Sequence, residues 1–335
     1  MELSELAGGL KVSKTCVGCW QFNDNKGAGT WKAQSYEVSK AIVDKAFELG
    51  LNFFDTAECY AGSEVTLGKC LQGRRQDAII ASKFGFREGI TTPPYSPEQI
   101  DEAITASLEK LQTTYVDLMQ VHCAHFLKDN KECVEELKRQ IGRGRIRQYG
   151  LSNYGPNNLR SLFEHDTSAV SNQMSYNLLW RSLEHEVLPI CREKGIGVLV
   201  YSPLQQGLLS GRFNTPEEVP GGRRRGKLYF GDRTKKSLHG QAGMEKEMFE
   251  TLGRIRNICS KAGVPMSKTS LAWLLQQEGV ASVIVGCRTP EQLEENSKIV
   301  NLSDDVVKQL TEATDELKAK LGKTLDQWVH PDRFD

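Results

Sequence analysis

Short apolar runs alternate along the chain with longer stretches in which apolar residues recur every three or four positions. The runs are Thr15–Trp20, Leu51–Asp55, Ala78–Ser82, Tyr115–Val121, Arg145–Leu151, Ala169–Met174, Gly197–Tyr201 and Ala281–Gly286. Most are rich in Val, Ile, Leu or Phe, and turn or polar residues bound them. Such brief, continuous apolarity predicts strands buried on both faces, as in a parallel sheet. The periodic stretches predict amphipathic helices, among them Ser35–Leu49, Pro97–Leu111, Lys131–Arg143, Ser182–Lys194 and Glu245–Ala262. Ser96-Pro-Glu-Gln99 and Thr289-Pro-Glu-Gln292 each put a hydroxyl at the cap, proline in the first turn and an acid next. A helix is expected to start at each. Glycine closes helices at Gly50 and Gly195, where a left-handed terminator belongs.

Eight strand–helix repeats in strict alternation predict a closed (β/α)₈ TIM barrel, formed as one domain over residues 1–335. The competing architecture is an open doubly wound sheet, whose nucleotide site needs a glycine fingerprint after an early strand. Gly27-Ala-Gly29 and Gly142-Arg-Gly144 lack the third glycine, and Gly142 precedes a strand rather than following one. Two stretches break the spacing. Gln205–Gly243 is a long seventh βα loop, of a size usually functional or mobile. Ser303–Leu321 reads as an extra C-terminal helix, and the tail Lys323–Asp335 either straps the barrel or reaches its mouth.

Composition narrows the function classes. Forty-three basic and 43 acidic side chains cancel, which gives no general attraction to nucleic acid or anionic membrane. No apolar run approaches the roughly 18 residues that span a bilayer. The opening Met-Glu-Leu-Ser-Glu-Leu has neither a basic nor an apolar signal region. Nine scattered cysteines suit a reducing compartment, so a cytoplasmic protein is expected. Cys16-Val-Gly-Cys19 has redox spacing, but on a strand its two thiols point to opposite faces. His122-Cys-Ala-His125 lacks a second ligand cluster, and no metal is expected.

The candidate chemistry lies at strand ends. Asp55 ends the second run and Tyr60 follows five residues later; Lys83 closes the third run and His122 the fourth. A parallel barrel gathers such ends at one mouth. Tyr60, a phenol flanked by an ammonium and a carboxylate, is then a candidate proton donor at neutral pH. Lys83 beside the phenol favours its ionised form and is expected to lower a pKa that starts near about 10. Asp55 is expected to pair with Lys83, and His122 offers a hydrogen-bond donor at the same mouth. Taken singly, each has a plain alternative as a turn cap, a solvated charge or a structural histidine.

From Val17-Gly18-Cys19-Trp20 to Glu295-Asn296 the chain resembles the aldo-keto reductase superfamily. The resemblance rests on Gly50-Leu-Asn-Phe-Phe-Asp-Thr-Ala-Glu-Cys-Tyr60, Asp117-Leu-Met-Gln-Val-His122, Gly150-Leu-Ser-Asn153, Asn172-Gln173, Tyr201-Ser-Pro-Leu204 and Val285-Gly-Cys-Arg288, all in order. It implies catalytic roles for Asp55, Tyr60, Lys83 and His122, and an NADP(H) molecule extended across the mouth. Gly18 and Trp20 would border it, while Ser152, Asn153 and Gln173 would bind the nicotinamide carboxamide. Tyr201 would stack on the ring. Ser202, Pro203, Leu204, Gly207, Leu209 and Gly211 would line the pyrophosphate path. Arg288, Gln292, Glu295 and Asn296 would grip the adenosine end, with Arg288 on the 2′-phosphate. Vertebrate branches carry a lysine and a further arginine there, where this chain has Gly286 and Gln292.

Trp20, Phe126, Trp180, Phe230 and Trp328 are expected around the mouth, suiting a small carbonyl or sugar substrate; Trp273, on a helix, is expected to pack. Arg223-Arg-Arg225, with Lys227, Lys235 and Lys236, makes either a lid over the phosphates or a solvated loop. The expected reaction is NADPH-dependent reduction of aldehydes or ketones. An aldose dehydrogenase running in reverse remains open. So does a regulatory module like the potassium-channel β subunits of the same superfamily; in those the position of His122 is an asparagine, and a long N-terminal segment precedes the barrel.

Overall fold

The structure is a computed structural model that describes residues 2–23, 33–85 and 95–335. The chain begins with an antiparallel hairpin, β1 (Leu3–Leu6) and β2 (Leu10–Ser13). Eight parallel strands follow: β3 (Thr15–Gly18), β4 (Phe53–Asp55), β5 (Ile79–Phe84), β6 (Val116–Val121), β7 (Ile146–Ser152), β8 (Ser171–Ser175), β9 (Gly197–Tyr201) and β10 (Val280–Gly286). Each pairs with its sequence neighbour and β10 pairs with β3, so the barrel closes. The helices are α1 (Tyr36–Glu48), α2 (Ser63–Cys70), α3 (Pro97–Leu111), α4 (Asn130–Gly142), α5 (Pro156–Phe163), α6 (Val187–Glu193), α7 (Glu245–Ala262), α8 (Met266–Leu275), α9 (Pro290–Ser297) and α10 (Asp304–Leu321).

Local chemistry explains the boundaries. Ser96 and Gln99 form a full capping box at the start of α3. The Thr289 side chain accepts from the Gln292 amide at α9. Ser182–Lys194 is not one helix but a 3₁₀ turn, Ser182–His185, followed by α6, with Glu186 non-helical between them. Pro189 accounts for the break, because a continuous helix would drive its ring against the carbonyl of His185. Gly142-Arg-Gly144 lies at the junction of α4 and β7, with Gly144 left-handed, as a terminator. Gly27-Ala-Gly29 lies outside the described residues.

Two apolar layers hold the barrel. The outer one joins strands to helices, and Trp273 is buried in it, its indole N–H donating to Thr311 at 3.0 Å. The inner one fills the barrel with Cys16, Phe53, Ala81, Leu118 and Leu199, and the hairpin adds Leu6, Leu10 and Val12 from below. Gly197 permits that closure: a Cβ there would stand 2.4 Å from the Leu6 side chain. Cys16 belongs to the inner layer and Cys19 to the outer, so their thiols face apart, and burial pushes both well above the usual thiol range.

The seventh loop leaves β9 at Ser202 and reaches α7 through 3₁₀ turns at Gln205–Ser210, Pro216–Glu218 and Gly221–Arg223. The tail after α10 is fastened to it. Lys227 N–H donates to the Gln327 carbonyl at 2.8 Å, and Leu238 bridges Val329. The Gln327 side chain bonds Gln205 and Ser175, while the Phe334 carbonyl accepts from Gly155 N–H at 2.6 Å. The tail is thus a strap crossing the strand-end face.

Candidate active site

The carboxyl ends of β4, β5 and β6 bring the strand-end quartet together. Lys83 is fully buried, and its ammonium donates to Asp55 Oδ1 at 2.7 Å, to the Thr56 carbonyl at 2.9 Å and to the Tyr60 hydroxyl at 3.3 Å. The other Asp55 oxygen accepts from Gln173 Nε2 at 2.7 Å and from Gln120 Nε2 at 3.5 Å. These donors satisfy both carboxylate oxygens of Asp55 beside the lysine. The half-buried Tyr60 ring stacks on Trp20 with centroids 4.7 Å apart and meets His122 edge-on at 6.1 Å.

Electrostatics depart from the sequence expectation at Tyr60. Burial, then the Asp55 carboxylate, holds the phenol well above its ordinary value. Lys83 does not reverse this, because its charge is already compensated by Asp55 at 2.7 Å. The phenol is therefore protonated at rest. Burial, reinforced by the Lys83 ammonium, pushes His122 well below its ordinary range and keeps the imidazole neutral. The exposed thiol of Cys59 lies 3.8 Å from His122 Nδ1, a neighbour the sequence reading left out.

The ends of β7, β8 and β9 form the adjoining wall. Asn153 is left-handed with φ 58°, donates to the His122 carbonyl at 3.1 Å and accepts from the Tyr201 hydroxyl at 2.9 Å. Ser152 Oγ donates to the Gln173 carbonyl at 3.2 Å. Gln173 has its amide nitrogen on Asp55, leaving its oxygen to meet a ligand. After Tyr201 the backbone is left-handed at Ser202, Gln205, Gln206 and Gly207, with φ 52°, 43°, 54° and 94°. Three of these four are not glycine, a strained run of the kind that marks functional turns. Pro203 and Leu204 lie inside this turn, Leu209 points into the outer core, and Gly211 ends the 3₁₀ segment.

Gly18 ends β3 beside Gly286 of β10. Arg288 is exposed at the start of α9, its backbone N–H on Gln292 Oε1 at 2.9 Å. Arg212 and Arg288 are close enough to Arg223 to depress its pKa further after burial has done so. Glu295 is instead paired with Lys268 at 3.0 Å, and Asn296 follows it on α9. Of the expected mouth aromatics, Trp20 and Phe230 are exposed, and Phe126 packs against Gly85. Trp180 presents no exposed ring to the mouth. It is 1% exposed within the outer core, held by a tight bridge to Asn177.

Among the described residues no group of three or more His, Cys, Asp or Glu side chains is placed to hold a metal ion. Nor is any helix among them long and apolar enough to cross a membrane.

The chain is similar to several known proteins. The sequence model described as "Aldo/keto reductase family" matches residues 14–315. The NADH-specific methylglyoxal reductase of Escherichia coli is 29% identical, over 95% of this chain and 97% of its own. A putative voltage-gated potassium channel subunit beta of Schizosaccharomyces pombe is 30% identical, over 92% and 90%. The holo form of aldo-keto reductase AKR11C1 from Bacillus halodurans superimposes with a TM-score of 0.74 at 25% identity, covering all of both chains. With a family match spanning the whole barrel, the chain belongs to the aldo/keto reductase family of oxidoreductases.

Proposed function

We propose that this protein reduces aldehydes or ketones to alcohols with NADPH, with Tyr60 as the proton donor. The observation that carries the reading is the single ammonium of Lys83, bonded at once to Asp55 and to the Tyr60 hydroxyl at a strand-end mouth. The residues fit a nicotinamide dinucleotide. Arg212 and Arg288 form no ion pair among the described residues and stand near Arg223 at the start of α9, where free amides favour a phosphate.

A bound reduced nicotinamide supplies the hydride to the carbonyl carbon. Tyr60 gives its proton to the carbonyl oxygen as negative charge develops there. Lys83 stabilises the phenolate left behind, at 3.3 Å, while Asp55 keeps the ammonium in place. Neutral His122 donates a hydrogen bond to the same oxygen and orients it. Asn153, tied to Tyr201, together with the Gln173 oxygen, offers the pattern that a carboxamide needs. A channel-type regulatory role is less favoured, because the quartet is complete, His122 included. An NADPH-oxidation screen over aldehydes, ketones and aldoses, repeated with NADH, tests the assignment; no turnover with any of them overturns it.

The E. coli relative is named NADH-specific, so the preference for NADP rests on Arg288. A charged hydrogen bond to phosphate is worth about 1.5–3 kcal/mol. Arg288→Ala is therefore expected to raise the NADPH dissociation constant about tenfold or more while leaving NADH within about twofold. Equal effects on both, read by fluorescence titration, contradict the preference.

The pH dependence follows from the two directions of shift. Reduction needs the phenol protonated, and Tyr60 is held above about 10, so that form persists to high pH. His122, held below its ordinary 6.5, stays neutral from pH 7 upward. Reductive kcat should be flat from about pH 7 to about pH 9, whereas alcohol oxidation, which needs phenolate, should climb through that range. A reductive limb centred near 6.5 would show that His122 titrates.

A further inference from the structure

Buried charges in folded proteins are paired, because an uncompensated one costs several kcal/mol. Two cations where the seventh loop meets the tail strap break this rule. Lys227 is 3% exposed and forms no ion pair among the described residues. Its neighbouring charges are Asp326, Asp332 and Arg333, but both carboxylates are committed elsewhere. Asp326 accepts from Trp328 and Val329 N–H and pairs with Arg333; Asp332 accepts from the Leu325, Asp326 and Phe334 amides. Arg225 is half-buried, and its Nε has no hydrogen-bond partner. Burial depresses its pKa, and it forms no ion pair among the described residues. Its guanidinium lies over the Trp328 ring at 4.8 Å.

The place of this pair in the fold gives it meaning. Gly226, between the two cations, fits against Gln327 and Trp328: a Cβ there would stand 3.2 Å from the Gln327 carbonyl. Gln327 in turn bonds Ser175 at the end of β8 and Gln205 beyond β9. Arg333, from the same strap, has its carbonyl 3.9 Å from Cys123 Sγ, next to His122. The strap therefore holds the seventh-loop segment that carries the two cations against the strand-end face, on which Tyr60 and His122 also lie. Arg225 is seated on Trp328 and Lys227 on the Gln327 carbonyl, whereas Arg223 reaches back to the Gln206 carbonyl.

We propose that Arg225 and Lys227, seated against Trp328, bind the anionic group of the carbonyl substrate, a carboxylate or a phosphate carried some atoms away from the reacting carbon. The ligand is the missing counter-ion. This deepens the reductase reading and rests on it.

The test compares matched carbonyl pairs on the full chain with its cofactor: succinic semialdehyde against butanal for a carboxylate, glyceraldehyde 3-phosphate against glyceraldehyde for a phosphate. The ratio of kcat/KM, anionic over neutral, is expected to exceed about tenfold in at least one pair, as for a charged hydrogen-bonded contact. The pair that shows it names the anion. Lys227→Met and Arg225→Gln should each lower that ratio about tenfold, chiefly through KM, while Lys236→Met, an exposed cation of the same loop, leaves it unchanged. Ratios near one in both pairs overturn the proposal. So does a variant that weakens NADPH binding without moving the ratio, because the cations then serve the dinucleotide. Isothermal titration with succinate and with inorganic phosphate separates this failure from failure of the reductase reading. Binding that Lys227→Met abolishes, in a protein that turns over no carbonyl, keeps the anion site and discards the reaction; no binding and no turnover discards both.

Discussion

Tyr60→Phe should lower kcat for carbonyl reduction by about a thousandfold or more, the contribution of a positioned general acid and roughly 4 kcal/mol of transition-state stabilisation. The substitution removes one oxygen and leaves the ring in place. The stack on Trp20 at 4.7 Å and the edge contact to His122 both survive, so the mouth keeps its shape. Among the described residues the hydroxyl bonds the Lys83 ammonium at 3.3 Å, which retains Asp55 and the Thr56 carbonyl as acceptors. Nicotinamide nucleotide affinity is therefore expected within about twofold of the parent, and thermal stability within about 1 kcal/mol. Stopped-flow reduction and a fluorescence titration on the same preparation read both halves. Retained turnover would move the proton donor elsewhere, with His122 the next candidate.

Lys83→Met should cost both activity and fold. The side chain is completely buried, and its ammonium is the counter-charge of a carboxylate that is only 3% exposed. Removing one partner strands the other, a loss of about 3–5 kcal/mol. Asp55 would keep Gln173 and Gln120 as donors, which soften the penalty without cancelling it. The double variant Lys83→Met with Asp55→Asn removes both charges and should recover most of the stability, because the asparagine oxygen still accepts from Gln173. Turnover should not recover with it. Urea unfolding of the three proteins separates the pair's electrostatic role from its chemical one. A Lys83→Met protein as stable as the parent would mean that Asp55 is protonated in the fold.

Much of this architecture is legible in the chain. Strands are short and apolar, so their positions stand out, and the residue at each carboxyl end follows directly. That is why Asp55, Lys83 and His122 could be placed on one mouth before any coordinates. The hairpin was hidden because it buries only Leu6, Leu10 and Val12 between charged or small residues, too few for alternation to register. Helix α2 was hidden for the opposite reason: its buried face includes Ser63, Glu64 and Thr66, which carry no apolar signal. Trp180 misled because an aromatic after a strand end can face either way, and here it turns into the outer core. The phenol's resting protonation could not be read from residue types. Proximity to lysine argues one way, while burial and the neutralising aspartate argue the other. Only distances decide.

The sealed floor of the barrel has a consequence for how the enzyme reloads. Below the Asp55 and Lys83 layer lie Phe53, Leu118 and Leu199, and below those the hairpin's Leu6 and Leu10, so among the described residues apolar side chains close the bottom of the barrel. On the proposed reading each reduction would spend one hydrogen ion from Tyr60, and its replacement would arrive from solvent past Trp20 and His122. The mouth that would admit substrate would then also be the inlet for that ion. Uptake from the medium should keep step with departure of the alcohol rather than with the hydride transfer itself.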